Sequence, residues 1–276
     1  MNRRRFCGLL LTVLLALSAT HGVAQDDRFI IVQSTTSTQN SGLLDAILPQ
    51  FTEQTGIEVR VVAVGTGQAL KNAANGDGDV LLVHARPAEQ QFIAEGHGVE
   101  RFDVMYNDFV IVGPAGDSAG IGGMADAATA LTDIAGAEAT FASRGDDSGT
   151  HKKELSLWDE AAVDVSAASG DWYRETGSGM GATLNAAVGM DAYTLTDRAT
   201  WIAFQNKGDH EILVEGDPRL FNQYGVILVN LEKHPGIEAE LGQTFIDWLT
   251  GPEGQAAIAA FEVHGQQLFY PNASGG

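Results

Sequence analysis

The run Ser143-Arg144-Gly145-Asp146-Asp147-Ser148-Gly149-Thr150-His151 brings hydroxyls, a guanidinium, glycines and carboxylates into one short stretch. It follows an apolar segment, 139–142, that reads as a strand. It opens into Lys152-Lys153-Glu154-Leu155-Ser156-Leu157-Trp158, which reads as a helix. The first N–H groups of a helix have no acceptor within it, and the macrodipole leaves partial positive charge there. A strand end, a glycine-bearing turn and a helix start of this composition therefore suit an anion. Arg144, four residues before Ser148, can add a planar fork of donors. The same residues also read as an ordinary helix cap by Asp147 or Ser148, and one turn alone does not choose between the two.

The elements that must position this turn form a repeated pattern. Phe29 to Val32 reads as a strand ending at Ser34-Thr35-Thr36-Ser37-Thr38. Leu43, Leu44, Ile47, Leu48 and Phe51 follow with helical spacing until Gly56. Ile57 to Val64 is the next strand, ending at Gly65-Thr66-Gly67 before a short helix, and Asp79 to Val83 is the third. Alternating strands and helices predict a parallel sheet with helices on its faces, and ligands in such sheets sit at the carboxyl ends of strands. Further strands are expected at Phe109–Pro114, Glu211–Val214 and Gly225–Val229, with helices at 182–188 and 196–205 and an amphipathic helix from Glu238 to Leu249. The expected division is a first lobe of residues 25–110 completed by 228–276, with a second lobe, 111–227, inserted between them. Two strands crossing near Val110 and Val226 would form a hinge beneath a cleft.

Composition narrows the partners. There are 36 acidic against 16 basic residues, a net charge of −20, which argues against nucleic acid or an anionic membrane surface. The acidic excess is spread along the chain, as on a solvated surface. At the N-terminus, Arg3-Arg4-Arg5 precedes an apolar core from Leu9 to Leu17 and small residues ending Gly22-Val23-Ala24. This predicts a signal peptide over residues 1–24, with Arg3-Arg4-Arg5-Phe6 resembling a twin-arginine signal. The single cysteine, Cys7, would leave with it, so the exported protein could form no disulfide of its own. The expectation is a soluble periplasmic monomer, without membrane insertion after cleavage.

Four hydroxyl-bearing turns stand before expected helices: Ser34–Ser37, Thr66, Ser148–Thr150 and Thr194–Thr196, two in each lobe. With Arg144 and Arg198 nearby, they point to a buried oxyanion held by neutral donors and one or two guanidinium groups.

Ser34-Thr35-Thr36-Ser37-Thr38, Gly65-Thr66-Gly67, the stretch from Asp79 to Ala85, Ser143 to His151, and Tyr193 to Trp201 occur in the order seen in the tungstate-binding proteins of bacterial ABC importers, which the chain resembles. The resemblance implies a two-lobed periplasmic binding protein of type II topology that captures tungstate, needs no cofactor and delivers its ligand to a membrane permease. It implies Thr36, Ser37 and Thr66 as ligand residues of the first lobe. Arg144, Ser148, Gly149 and Thr150, with Thr194 and Arg198, are those of the second. Ser34 departs from the family's usual threonine but keeps the hydroxyl. His84 and His151 are read as hydrogen-bonded spacers, and Asp146 and Asp147 as partners of Arg144 or helix caps.

Three other readings compete. A molybdate, sulfate or phosphate receptor would share the fold. A metal receptor would need converging His and carboxylates, whereas these turns are rich in donors. A serine hydrolase is suggested by Asp147-Ser148-Gly149, but the chymotrypsin-like motif belongs to a β-barrel and carries a further glycine. The chain is therefore expected to bind rather than catalyse.

Overall fold

The computed structural model describes residues 28–273, so the leader expected over residues 1–24 lies outside the described residues. Strand β1 (Phe29–Thr35) runs parallel to β2 (Glu58–Val64), with Val32 opposite Val61, and to β3 (Val80–Val83). Between them lie α1 (Thr36–Asn40), α2 (Leu43–Thr55) and α3 (Thr66–Asn75). Leu43, Leu44, Ile47 and Phe51 form the buried stripe of α2, and Gly56 ends it with φ +70. Fully burying one such side chain contributes about 1.5–3 kcal/mol, so this stripe fixes α2 on the sheet.

Helix α4 (Arg86–Ala94) leads into a single long strand, β4 (Gly98–Pro114). After it come α5 (Ala127–Gly136), β5 (Phe141–Ser143), α6 (Gly149–Glu160), β6 (Tyr173–Glu175) and α7 (Met180–Gly189). Strand β7 (Thr194–Asp197), α8 (Arg198–Ala203), β8 (His210–Val214) and β9 (Phe221–Val229) follow. Helices α9 (Ala239–Thr250) and α10 (Pro252–Ala259) and three two-residue strands, the last at Tyr270–Pro271, complete the described chain.

The main sheet has the order β2-β1-β3-β9-β4, with β9 antiparallel to β3 and β4 antiparallel to β9. One core contains Ile30, Phe51, Val80, Tyr224 and Phe245. A second contains Phe109, Ile111, Leu131, Phe141, Trp158, Tyr173 and Leu195. Two separate cores joined by shared strands make a two-lobed α/β fold. Strand β4 changes partner between Asp108, opposite Phe221 on β9, and Phe109, opposite Asp197 on β7.

Two elements differ from expectation. The strand read as beginning at Phe109 begins at Gly98, where it starts to pair with β9, and its first half carries Arg101, 8% exposed and neutralised by Glu89 at 2.5 Å and by Asp103. Buried charge hid the strand's apolar alternation. Thr196, expected as a helix cap, lies within β7, and Asp197 caps α8 by accepting from Thr200 N at 2.9 Å. A carboxylate is a good cap acceptor, and a β-branched threonine suits an extended backbone.

Candidate oxyanion site between the lobes

The first lobe contributes the carboxyl ends of β1 and β2. Thr35 caps α1 by accepting from Thr38 N. Thr36 Oγ1 is buried and has no hydrogen-bond partner among the described residues. Ser37 Oγ lies 3.1 Å from both Thr35 Oγ1 and His84 Nε2, so its hydroxyl is engaged inside this lobe. Thr66, fully buried, is the first residue of α3.

The second lobe contributes the turn between β5 and α6. Ser148 Oγ caps α6 by accepting from His151 N at 3.1 Å. The next amide, Gly149 N, donates across the cleft to Thr66 Oγ1 at 2.9 Å. A Cβ on Gly149 would stand 3.0 Å from that hydroxyl and 3.1 Å from His84 Cε1, so a side chain here would push these groups back by a few tenths of an ångström. Thr150 Oγ1 is buried and unpartnered among the described residues.

Arg144 is 2% exposed, and its Nη2 donates to Asp146 Oδ2 at 2.6 Å while its Nε has no partner among the described residues. Asp146 also accepts from Ser148 N at 3.2 Å, so one carboxylate braces both the guanidinium and the helix cap. Gly145, φ +58, turns the chain between them. Asp147 pairs with Lys152, and its amide donates to His151 Nδ1. Beneath the turn, Glu154 accepts from Ser143 Oγ, Trp158 Nε1 and Tyr173 OH. Burial nevertheless pushes its carboxyl up to about 7. The His84 imidazole moves the other way: burial, with the nearby Arg144 charge adding to it, brings it down to about 4, so the ring is neutral at ordinary pH.

The structure does not bring every expected residue to the turns. Thr194 is buried in β7, and its hydroxyl donates to Ala142 O at 2.7 Å, a bond that ties two strands. Arg198 is a correction to the expected set. Its Nε and Nη2 hold Asp108 at 2.7 and 2.6 Å, and Nη2 also meets Glu215 at 2.8 Å, beside an open pocket lined by Tyr106, Phe221 and Tyr270. Three anionic contacts occupy the fork that an oxyanion would need.

The turn before α7, legible in the sequence as Gly177-Ser178-Gly179 ahead of a helix, was not among the expected site residues. Ser178 N donates to Arg144 O at 3.3 Å, and a Cβ on Gly179 would stand 3.7 Å from Thr36 Oγ1. That turn supports the Arg144 loop and brings a second stretch of second-lobe backbone against Thr36.

The arrangement can hold an acceptor-only anion. Helices α3 and α6 meet N-terminus to N-terminus, placing like partial charges close together. Thr36 Oγ1, Thr150 Oγ1 and Arg144 Nε are buried polar atoms without partners among the described residues, a cost that an accepting ligand would offset. Among the described residues no group of three or more His, Cys, Asp or Glu could hold a metal ion. Ser148 Oγ has the bonding of a helix cap rather than of a nucleophile facing a base.

These features define a two-lobed anion-binding protein. The PBP superfamily domain matches residues 19–253, and the chain belongs to that superfamily, in the same family as the proteins named TupA. It is 49% identical over 249 residues to the tungstate-binding protein TupA of Peptoclostridium acidaminophilum, covering 89% of this chain and 86% of that protein. The solved structure of the tungstate-binding protein TupA from Desulfovibrio alaskensis G20 is 48% identical with a TM-score of 0.77, over 90% of this chain and all of that one. The crystal structure titled as the tungstate ABC transporter from Geobacter sulfurreducens is 51% identical with a TM-score of 0.77, over 84% of this chain and 98% of that one.

Proposed function

We propose that the protein captures tungstate as a tetrahedral oxyanion between its lobes and delivers it to the permease of an ABC importer. The observation that carries this is the Gly149–Thr66 contact, which sets two helix N-termini face to face among buried donors that have no partner among the described residues. Thr36, Thr66, Arg144, Ser148 and Thr150 are the ligand residues on this reading, the Gly149 amide holds the lobes together through Thr66, and Ser37 holds the first-lobe turn. The lobes follow the expected division, 25–110 with 228–276 and 111–227, with its edges moved to where β4 leaves β9 after Asp108 and to the start of β9 at Phe221. The chain works outside the cytoplasm, after loss of a leader over residues 1–24.

Tungstate fits better than phosphate. Tungstate, molybdate and sulfate carry no proton near neutral pH, whereas phosphate carries at least one and needs a buried acceptor for it. The acids nearest the turn are committed: Asp146 to Arg144 and Ser148 N, and Asp147 to Lys152. Sulfate is smaller, and its oxygens fall short of donors spaced for tungstate.

Thermal melting in the presence of each anion tests this. Ligand at about a hundred times its dissociation constant stabilises the folded state by roughly 2.7 kcal/mol. Tungstate and molybdate should raise the melting temperature while sulfate and phosphate leave it unmoved. A curve indifferent to all four would refute the oxyanion reading.

A further inference from the structure

His84 follows β3 directly and is 6% exposed, yet both ring nitrogens and one ring edge touch different parts of the molecule. Nε2 lies 3.1 Å from Ser37 Oγ and 3.2 Å from Thr35 Oγ1, at the first-lobe turn. Nδ1 lies 3.1 Å from Asn222 Oδ1 on β9, and Asn222 Nδ2 donates to Asn107 Oδ1 on β4 at 2.7 Å. Asn107 and Asn222 are cross-strand partners, one step from where β4 leaves β9 for the second lobe. The ring stacks on Tyr224 at 4.7 Å. Its Cε1 edge receives the backbone of Gly149, which leaves only 3.1 Å for a Cβ.

The bond directions follow. Asn222 spends Nδ2 on Asn107, so its Oδ1 accepts from His84 Nδ1–H. The ring is neutral, leaving Nε2 as the acceptor to which the Ser37 hydroxyl donates.

We propose that His84 is a positioning residue for lobe closure: it joins the Ser37 turn, the Asn107–Asn222 pair at the hinge strands and the Gly149 backbone of the second lobe. Seating Gly149 on the ring is thereby coupled to the strands that must bend. This rests on the oxyanion reading but assigns His84 no ligand contact. Removing Asn222 should leave the anion donors in place, so the open protein meets ligand at the usual rate. The closed state should release it sooner.

Stopped-flow binding of tungstate to the full mature chain tests this with Asn222→Ala and His84→Phe, the second keeping the ring's bulk. Dissociation should speed up about tenfold while association stays within about twofold, the usual signature of a weakened bound state. Melting of the ligand-free variants, measured alongside, separates lost stability from lost coupling. Unchanged dissociation with a lowered melting temperature makes His84 merely structural and overturns the proposal. A wild-type protein silent to tungstate overturns the proposed function and this inference together, whereas binding wild type with unaffected variants overturns the inference alone. Where the variants do not fold, long-range proton–nitrogen correlation on the wild type decides. The Nδ1–H tautomer, with an Nε2 resonance that moves on adding tungstate, supports the proposal; the other tautomer, or a resonance indifferent to tungstate, contradicts it.

Discussion

The amide of Gly149 and the hydroxyl of Thr66 meet at 2.9 Å although 83 residues separate them, one in each lobe and each in the first turn of its helix. The bond makes closure specific: Ser148 caps α6 from its own lobe, but the Gly149 amide finds its acceptor in the other lobe. Thr66→Val keeps the shape of the side chain and deletes the acceptor. A buried N–H left unsatisfied costs about 1–3 kcal/mol, so tungstate affinity should fall by roughly tenfold or more. Calorimetry on the variant checks this, and wild-type affinity would mean that the contact does not support the bound state.

Arg144 should matter more. A hydrogen bond to a charged group contributes about 1.5–3 kcal/mol, so Arg144→Ala should weaken tungstate binding at least about tenfold while the fold survives. Arg144→Lys should recover only part of the loss, because an ammonium cannot both brace on Asp146 and present a second planar donor. Full affinity in Arg144→Ala, read by titration, would make Arg144 a structural partner of Asp146.

Arg198 supplies the contrast. Its fork is filled by Asp108 and Glu215, and the pair is about a quarter exposed on the Arg198 side. Arg198→Gln should therefore leave tungstate affinity within about twofold and cost about 1 kcal/mol or less in stability, as partly exposed ion pairs do. A tenfold affinity loss would return Arg198 to the ligand.

The difference between Arg144 and Arg198 also shows what sequence could tell. Arg144, Ser148 and Gly149 belong to one strand–turn–helix, so spacing alone placed them together. The partner of Arg198 is Asp108, 90 residues away on β4, and no local pattern reports it. Thr194 failed as a ligand candidate for a similar reason, since Ala142 O on a neighbouring strand takes its hydroxyl. Asn107 and Asn222 carried no signal at all, being polar residues in strands that only register brings opposite. The α/β pattern of the first lobe was legible because its strands are apolar and end in turns. The first half of β4 was not, because Glu89 and Asp103 neutralise a buried Arg101.

Acid–base stability offers a test of the scaffold under the turn. Glu154 titrates near 4.5 in a free chain and at about 7 in the fold. Between those values the folded state holds a proton that the unfolded chain lacks, so this stabilisation is complete below 4.5 and lost as pH rises through about 7. His84 has the opposite sign. Its value drops from 6.5 to about 4, so its contribution is present above 6.5 and lost as pH falls through about 4. Glu154→Gln should reduce the loss of stability towards neutral pH, to which the raised carboxyls of Glu89 and Asp197 also contribute, and leave the acid-side loss, as read by urea unfolding across that range. An unchanged profile would place the titration elsewhere.

A proton-free tetrahedral oxyanion is expected to close the two lobes around Thr36, Thr66, Arg144 and Thr150. The most direct measurement is isothermal titration of tungstate into the mature protein, repeated with molybdate, sulfate or phosphate in large excess. A single saturable site, displaced by molybdate and indifferent to sulfate and phosphate, is the predicted result. No heat with tungstate or molybdate, or displacement by phosphate that grows as pH falls, would contradict it.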